Sequence, residues 1–317
     1  KKKKTWGVRT IPIIESRYPL WEQPNFVRDV DEGRFYLPDA VEGKRETLVT
    51  TVIDAEPLQC LRVGGPTFLT FFAALFTGGF FIFATYHWWL AAIISGLIAI
   101  GVMLTWVWTG TAEIPEKETK DVGLGLSLPL YISGPNAVGW WAMFITMTAD
   151  ITAFVSLVFG YFFYWTIHED FPPQPLQGPG VFWPVTGMVL LLIAYGLTLL
   201  SRYWNRSGQV SAFYLSLTLA AVVSLAGACA LLSGPWLTGL DPTTHVYPAI
   251  VWVLTGWTVL HVILGVIMQL YCLARRAAGK MTNQWDADIV NVSLYWHFLA
   301  LTVVMTVGVI AGFPSVS

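Results

Sequence analysis

The sequence predicts an all-α membrane protein with seven transmembrane helices. The 317-residue chain is 55% hydrophobic and only 12% charged, whereas a soluble globular domain carries about 25% charged residues. Seven long apolar segments follow a polar N-terminal extension, and each has at least the ~20 residues that cross the ~30 Å hydrocarbon core of a bilayer. The net charge is −2, so composition gives no indication of a nucleic-acid partner.

The order of the apolar and polar segments gives the predicted organisation. The spans are placed at residues 65–86, 88–109, 137–166, 181–204, 209–233, 247–274 and 290–312. Residues 1–64 lack helical periodicity and are rich in turn signals, so we expect a polar, extended cytoplasmic tail. Residues 65–109 form a two-helix hairpin, 110–136 a long cytoplasmic loop and 137–317 a five-helix bundle. The start at Lys1–Lys4, without an initiator Met, suggests a processed end, a fragment or an added sequence.

The distribution of basic residues predicts the orientation. All 18 Lys and Arg residues precede the first span, lie in alternate loops or, as Arg202 does, lie at the end of a span that borders such a loop. They are Lys1 to Lys4, Arg9, Arg17, Arg28, Arg34, Lys44, Arg45, Arg62, Lys117, Lys120, Arg202, Arg206, Arg275, Arg276 and Lys280. Because cytoplasmic loops carry an excess of Lys and Arg, we expect the N-terminus inside and the C-terminus outside.

Asp150 is the one acidic residue of 20 that lies inside a predicted span. A carboxyl at a helix centre costs about 2.5–3.5 kcal/mol on insertion scales, and such a residue suggests a functional site. The low dielectric disfavours the charged form, so a carboxyl in this position can hold and release a proton. The alternative is a structural aspartate that bonds to a nearby helix, with Thr146 as an available partner four residues earlier.

Two histidines lie inside spans, His261 in the sixth and His297 in the seventh. At about 1.5 Å per residue, His261 and Asp150 both lie about 20 Å from the cytoplasmic face, whereas His297 lies about 10 Å from it. Ligands of one haem should share a depth, so a haem between the two histidines is not expected. We expect Asp150 and His261 to face each other, directly or through water, as a proton-linked pair.

Arg275 and Arg276 end the sixth span on the cytoplasmic side. Cations there can bind anionic phospholipid headgroups; the alternative is that they snorkel to the interface and mark the topology. The three cysteines, Cys60, Cys229 and Cys272, show no metal or redox spacing. No catalytic or metal-binding residue is therefore predicted.

Two motifs resemble a known family. The last span contains Tyr295, Trp296, His297 and Phe298, and residues 255–265 read Thr-Gly-Trp-Thr-Val-Leu-His-Val-Ile-Leu-Gly. Both resemble signatures of subunit III of the haem-copper cytochrome oxidases, and Asp150 lies where that family carries a carboxyl, usually glutamate. The chain departs from the family at Thr258, where a histidine is usual, and at Ala300, where an acidic residue is usual.

The resemblance covers about residues 65–314 and implies a non-catalytic subunit of a proton-pumping cytochrome c oxidase. It implies a two-plus-five arrangement of the helices with a lipid cleft, subunits I and II as partners, and cytochrome c as electron donor. It places haem a and copper in the partner subunits and phospholipids on this chain. In this family Asp150 would be the buried carboxyl, His261 its neighbour and Arg275 a headgroup contact. Residues 11–64 resemble the junction in bacterial polypeptides that fuse subunits I and III, which implies the bacterial inner membrane.

Two alternatives remain open from the sequence. Within the same fold, the chain resembles the third subunit of a quinol oxidase or a relative attached to nitric oxide reductase. A different class is a stand-alone proton-coupled transporter that uses Asp150 and His261. A transporter predicts internal repeats and broken helices at the midplane, and no clear repeat is visible.

Overall fold

The structure, a computed structural model, describes residues 16–32, 34, 45–63, 67–110, 114–115, 117–123, 125–168 and 170–313. The Lys1–Lys4 start and the rest of the extension before residue 16 lie outside these residues. The chain divides into two compact units, residues 1–131 and 132–317.

The first unit contains a pair of apolar helices. They are α3 (Leu69–Thr85) and α4 (Trp89–Gly110), joined by a tight turn in which His87 has a φ of 60°. The Ser95 hydroxyl of α4 donates to the Phe76 carbonyl of α3 at 2.8 Å. Gly79 allows this approach, because a Cβ there would lie 2.6 Å from Ser95 Oγ. Most large apolar side chains of both helices point outward, as expected of helices surrounded by lipid.

The polar segments of the first unit are more ordered than the sequence suggested. The extension contains helices α1 (Pro19–Glu22) and α2 (Phe26–Glu32) and strands β1 (Arg45–Thr50) and β2 (Pro57–Val63), and the expected loop contains strands β3 (Thr119–Gly123) and β4 (Leu126–Pro129). β1 pairs antiparallel with β2, and β3 with β4. The expectation of an extended tail was therefore wrong for these residues, and the predicted loop contains a hairpin.

A small core explains why these polar segments fold. Cys60, Val122, Leu128 and Leu130 form a buried apolar cluster. Beside it, the Glu46 carboxylate, whose side chain is 2% exposed, pairs with Lys120 Nζ at 2.7 Å and with Arg62 Nε at 3.2 Å. Each segment alone buries too little apolar surface to show a pattern, so the pairing between distant segments was not visible from the sequence.

The second unit is built from five long helices. They are α5 (Val138–Ile167), α6 (Phe182–Arg206), α7 (Val210–Leu237), α8 (Val246–Ala277) and α9 (Ala287–Val307), and α9 continues as one π-helical turn over Gly308–Gly312. Helix α6 packs on α7 and α9, while α5 packs on α8 and α9. Every helix begins and ends within a few residues of the predicted span, because the apolar runs are long and unbroken.

Six helices among the described residues are long and apolar enough to cross a membrane: α4 and α5, then α6 to α9. The first predicted span corresponds to α3, which has 17 residues and rises about 26 Å, slightly less than the ~30 Å hydrocarbon core. The chain is thus a mostly helical, multi-pass membrane protein with two short β-hairpins. The seventh crossing, the two-plus-five arrangement and the orientation of the termini stay predictions.

Candidate functional site

Helices α5 and α8 bring Asp150 and His261 together. Asp150 Oδ2 lies 3.8 Å from His261 Nε2. The two residues are more than 100 positions apart in the chain, and their shared depth in the membrane was the only sequence signal that related them. The expected juxtaposition is therefore confirmed, whereas the proton-linked role of the pair stays a prediction.

The Asp150 carboxyl lies at the surface of the bundle rather than in its core. Its side chain is 40% exposed within this chain, compared with 11% for His261. The reason is that α5 packs only one of its sides on α8 and α9. The inference that Asp150 would be a buried carboxyl was wrong for the chain by itself. Any lipid or protein that contacts this face of α5 in the membrane therefore also contacts the Asp150 carboxyl.

The Thr146 hydroxyl does not donate a hydrogen bond to Asp150. It donates instead to the Ala142 carbonyl at 2.9 Å, as hydroxyls in helices often do when they bond one turn back. The proton of that hydroxyl is therefore already used, and the basic group near Asp150 is His261.

One hydrogen bond determines the tautomer of His261. Its Nδ1 lies 2.8 Å from the carbonyl oxygen of Trp257, one turn earlier in α8. A carbonyl oxygen only accepts, so Nδ1 must donate and carry a proton. Neutral imidazole has a single N–H, and Nε2 consequently presents a lone pair towards Asp150.

The pair has a place for one proton between Asp150 Oδ2 and His261 Nε2. With the proton on Asp150 both groups are neutral, and with the proton on His261 they form an ion pair. Without it, a carboxylate faces a lone pair. The 3.8 Å separation exceeds a direct hydrogen bond.

Aromatic rings hold the His261 imidazole in place. Trp257 stacks on it with ring centroids 3.7 Å apart, and Phe298 contacts it at 5.9 Å. Phe154 of α5 packs in turn against Trp257 at 4.9 Å. This stack therefore fixes the position of the imidazole.

Three residues of the Tyr295–Phe298 motif support the same region of α8. The Tyr295 hydroxyl donates to the His261 carbonyl at 3.0 Å, and Phe298 forms part of the ring stack. Trp296, which is 1% exposed, packs over Gly265, where a Cβ would lie 3.2 Å from its Cζ2 atom.

The fourth residue of the motif, His297, has different surroundings. It is exposed within the chain and contacts the Tyr195 ring edge to face at 5.3 Å. Its neighbours are therefore not those of His261. Among the described residues, no three His, Cys, Asp or Glu side chains lie together as a metal site requires.

Arg275 is bound within the protein. Its Nε donates to Asp288 Oδ2 at 2.7 Å, its other nitrogens approach the Lys280 carbonyl and the Tyr271 hydroxyl, and the residue is 4% exposed. Arg276 donates to the Met281 carbonyl at 2.9 Å. Both arginines thus tie the α8–α9 connection to α8, and their lipid-binding role stays a prediction.

Asp288 was not predicted from the sequence as the partner of Arg275. The predicted seventh span began at residue 290 and left Asp288 in a loop, whereas α9 begins at Ala287. An acidic residue at the start of an apolar run is typical of the first turn of a helix, and this signal was present in the sequence.

Comparison with known proteins gives consistent but distant similarity. No protein-family model matches the chain. The chain is 23% identical over 177 residues to "Cytochrome c oxidase subunit 3" of Pongo abelii, covering 50% of this chain and 63% of that protein. It is 23% identical over 246 residues to the protein of the same name from Paracentrotus lividus, covering 67% and 88%, and 26% identical over 160 residues to that of Syncerus caffer, covering 45% and 59%. The chain therefore matches about three fifths of the length of two of these relatives.

Proposed function

We propose that the chain, which is similar to cytochrome c oxidase subunit 3, is the non-catalytic third subunit of a proton-pumping haem-copper oxidase. One observation carries this proposal beyond the similarity itself. The two sequence motifs that resemble the family, at residues 255–265 and Tyr295–Phe298, meet around a single residue, His261, which faces the carboxyl of Asp150.

The proposed role of the pair is to hold a proton near the middle of the membrane and to support proton uptake by the complex. His261 Nε2 takes up the proton while Nδ1 keeps its bond to Trp257. The Asp150 carboxylate stabilises the resulting imidazolium. Because Asp150 is partly exposed on α5, the proton can pass to a neighbouring subunit or to water at that surface.

The remaining roles follow from assembly. The chain packs with subunits I and II and stabilises subunit I. Haem a and copper belong to those partners, so this chain receives no electrons itself. Cytochrome c donates electrons to the complex. The outward-facing apolar side chains of α3 and α4 and the cytoplasmic end of α8 bind phospholipids. The bacterial inner membrane is the proposed location.

The test is sustained oxygen consumption by the purified complex carrying Asp150→Asn. We expect the variant to assemble and start at the normal rate but to lose activity within fewer turnovers, because the amide cannot hold the proton. Asp150→Glu should retain most of the lifetime. Asp241→Asn, which changes an exposed carboxyl in an outer loop, is the matched control. Unchanged lifetime in Asp150→Asn would contradict the proton role.

A further inference from the structure

The cytoplasmic half of the second unit contains a column of buried polar side chains. Thr198, Ser201 and Asn205 follow each other on one face of α6, and Gln269 of α8 reaches the same column. All four are at most 1% exposed. Seven residues of helix separate Thr198 from Asn205, so the column is about 10 Å long.

Each of the four side chains of this column donates at least one hydrogen bond within the protein. The hydroxyls of Ser201 and Thr198 donate to backbone carbonyls of their own helix at 2.7 and 2.8 Å. Gln269 Nε2 donates to Thr198 Oγ1 at 2.8 Å, and Asn205 Nδ2 donates to the Thr282 carbonyl at 3.0 Å. What the column offers in addition is oxygen atoms that can accept.

Two of these oxygens have no donor among the described residues. They are Gln269 Oε1 and Asn205 Oδ1. A buried amide oxygen without a donor is costly, and native structures satisfy nearly all such atoms with protein or ordered water. A ligand that binds these two oxygens must therefore donate hydrogen bonds to them.

One buried donor of α9 packs on the same stretch of α8 that carries Gln269. Trp296 Nε1 is unpartnered among the described residues, and its ring packs over Gly265, one helical turn from Gln269 on α8. An indole N–H donates only. A group that bonds to both atoms must accept a hydrogen bond from the indole N–H and donate one to the Gln269 oxygen. Water can do both.

We propose that ordered water molecules occupy this column. One bridges Trp296 Nε1 and Gln269 Oε1, and another donates to Asn205 Oδ1 near the cytoplasmic end. The interior of the bundle is thus hydrated from the cytoplasmic side to the depth of Gln269. This assignment does not depend on the proposed oxidase function, because it rests on hydrogen-bond chemistry within the second unit.

The experiment is a density map of the protein purified from membranes in its native assembly, at a resolution that shows ordered water. We expect separate peaks within hydrogen-bond distance of Gln269 Oε1 and of Asn205 Oδ1. Empty density at both oxygens would overturn the proposal. So would a peak ringed by more oxygen atoms than the roughly four that a water molecule binds, since that environment identifies a cation.

A pair of variants tests the assignment of each peak. Gln269→Met removes one amide at similar volume and should abolish the peak beside Trp296 while leaving the one at Asn205. Ser224→Ala is the matched control, because this buried hydroxyl of α7 bonds to its own helix at 2.6 Å and lies outside the column. Both peaks should remain in the control. Persistence of the Trp296 peak in Gln269→Met would contradict the proposed bridge.

Discussion

His261 Nδ1 lies 2.8 Å from the Trp257 carbonyl oxygen, and this contact decides which nitrogen faces Asp150. In the proposed role, Nδ1 fixes the position of the imidazole and Nε2 holds the proton. Its neighbours on α9, Tyr295 and Phe298, fix the same turn of α8. A rigid imidazole next to a partly exposed carboxyl is suited to repeated proton uptake and release.

The first prediction separates these two functions of His261. His261→Asn keeps an N–H near the position of Nδ1, so the bond to Trp257 survives, but it removes the nitrogen that faces Asp150. We expect a thermal unfolding midpoint close to that of the unchanged protein and a shortened catalytic lifetime of the complex. Oxygen-consumption traces and a thermal melt on the same preparation measure the two effects.

Combining that change with Asp150→Asn tests whether the two residues act as a unit. The effects of changing two residues that share one proton should not add. The catalytic lifetime of the double variant should therefore be no shorter than that of the more impaired single variant. Losses that add would show that Asp150 and His261 act independently.

The second prediction concerns the close approach of α8 and α9. A Cβ at Gly265 would lie 2.9 Å from Leu299 Cδ1 and 3.2 Å from Trp296 Cζ2. Gly265→Ala should therefore lower the unfolding free energy by about 1–3 kcal/mol, the usual cost of overpacking. Gly256→Ala on the same helix meets no atom within 4 Å and should be neutral or stabilising by up to about 1 kcal/mol. Equal melting midpoints for the two variants would contradict this packing.

The third prediction concerns the Arg275–Asp288 ion pair, with side chains 5% and 22% exposed. Arg275→Met should destabilise the protein by about 3–5 kcal/mol, because it leaves a largely buried carboxylate unpaired. Adding Asp288→Asn should recover part of that loss. Thermal melts of the single and double variants measure it. If Arg275 acted mainly on lipid headgroups, Asp288→Asn would restore nothing.

The fourth prediction follows from the Cys60 thiol in the first unit. Burial, and secondarily the charge of Glu46, raises the pKa of Cys60 from 9.0 to about 11. The folded state thus keeps the thiol proton between these values while the unfolded chain loses it, so the resulting stabilisation is complete below pH 9 and decreases as the pH rises towards about 11. Alkylation of Cys60 in the native protein should be slow at pH 8 and should still be accelerating above pH 9. A rate that levels off near pH 9 would indicate an ordinary, solvated thiol.

The membrane helices were predictable from the sequence because their signal is local. Apolar runs of about 20 residues have few other structures available in a membrane, and α4 to α9 begin and end close to the predicted positions. The meeting of Asp150 and His261 was predictable for a related reason: in helices of known direction, position in the sequence gives depth.

Other features depend on contacts between distant segments. The β-strands around Cys60 and Val122 are short and polar, and they bury an apolar face only when paired. The exposure of Asp150 depends on which side of α5 packs against its neighbours. The roles of Tyr295 and Trp296 depend on the register between α8 and α9, which periodicity within one helix does not specify.

The most direct test of the account is a reduced-minus-oxidised absorption spectrum of the material that co-purifies with this chain from membranes through an affinity tag. We expect bands of haem a, together with oxygen consumption supported by reduced cytochrome c, since the chain is proposed to assemble with oxidase subunits I and II. Purification of the chain alone, without haem or oxidase activity from a membrane that contains active oxidase, would contradict it.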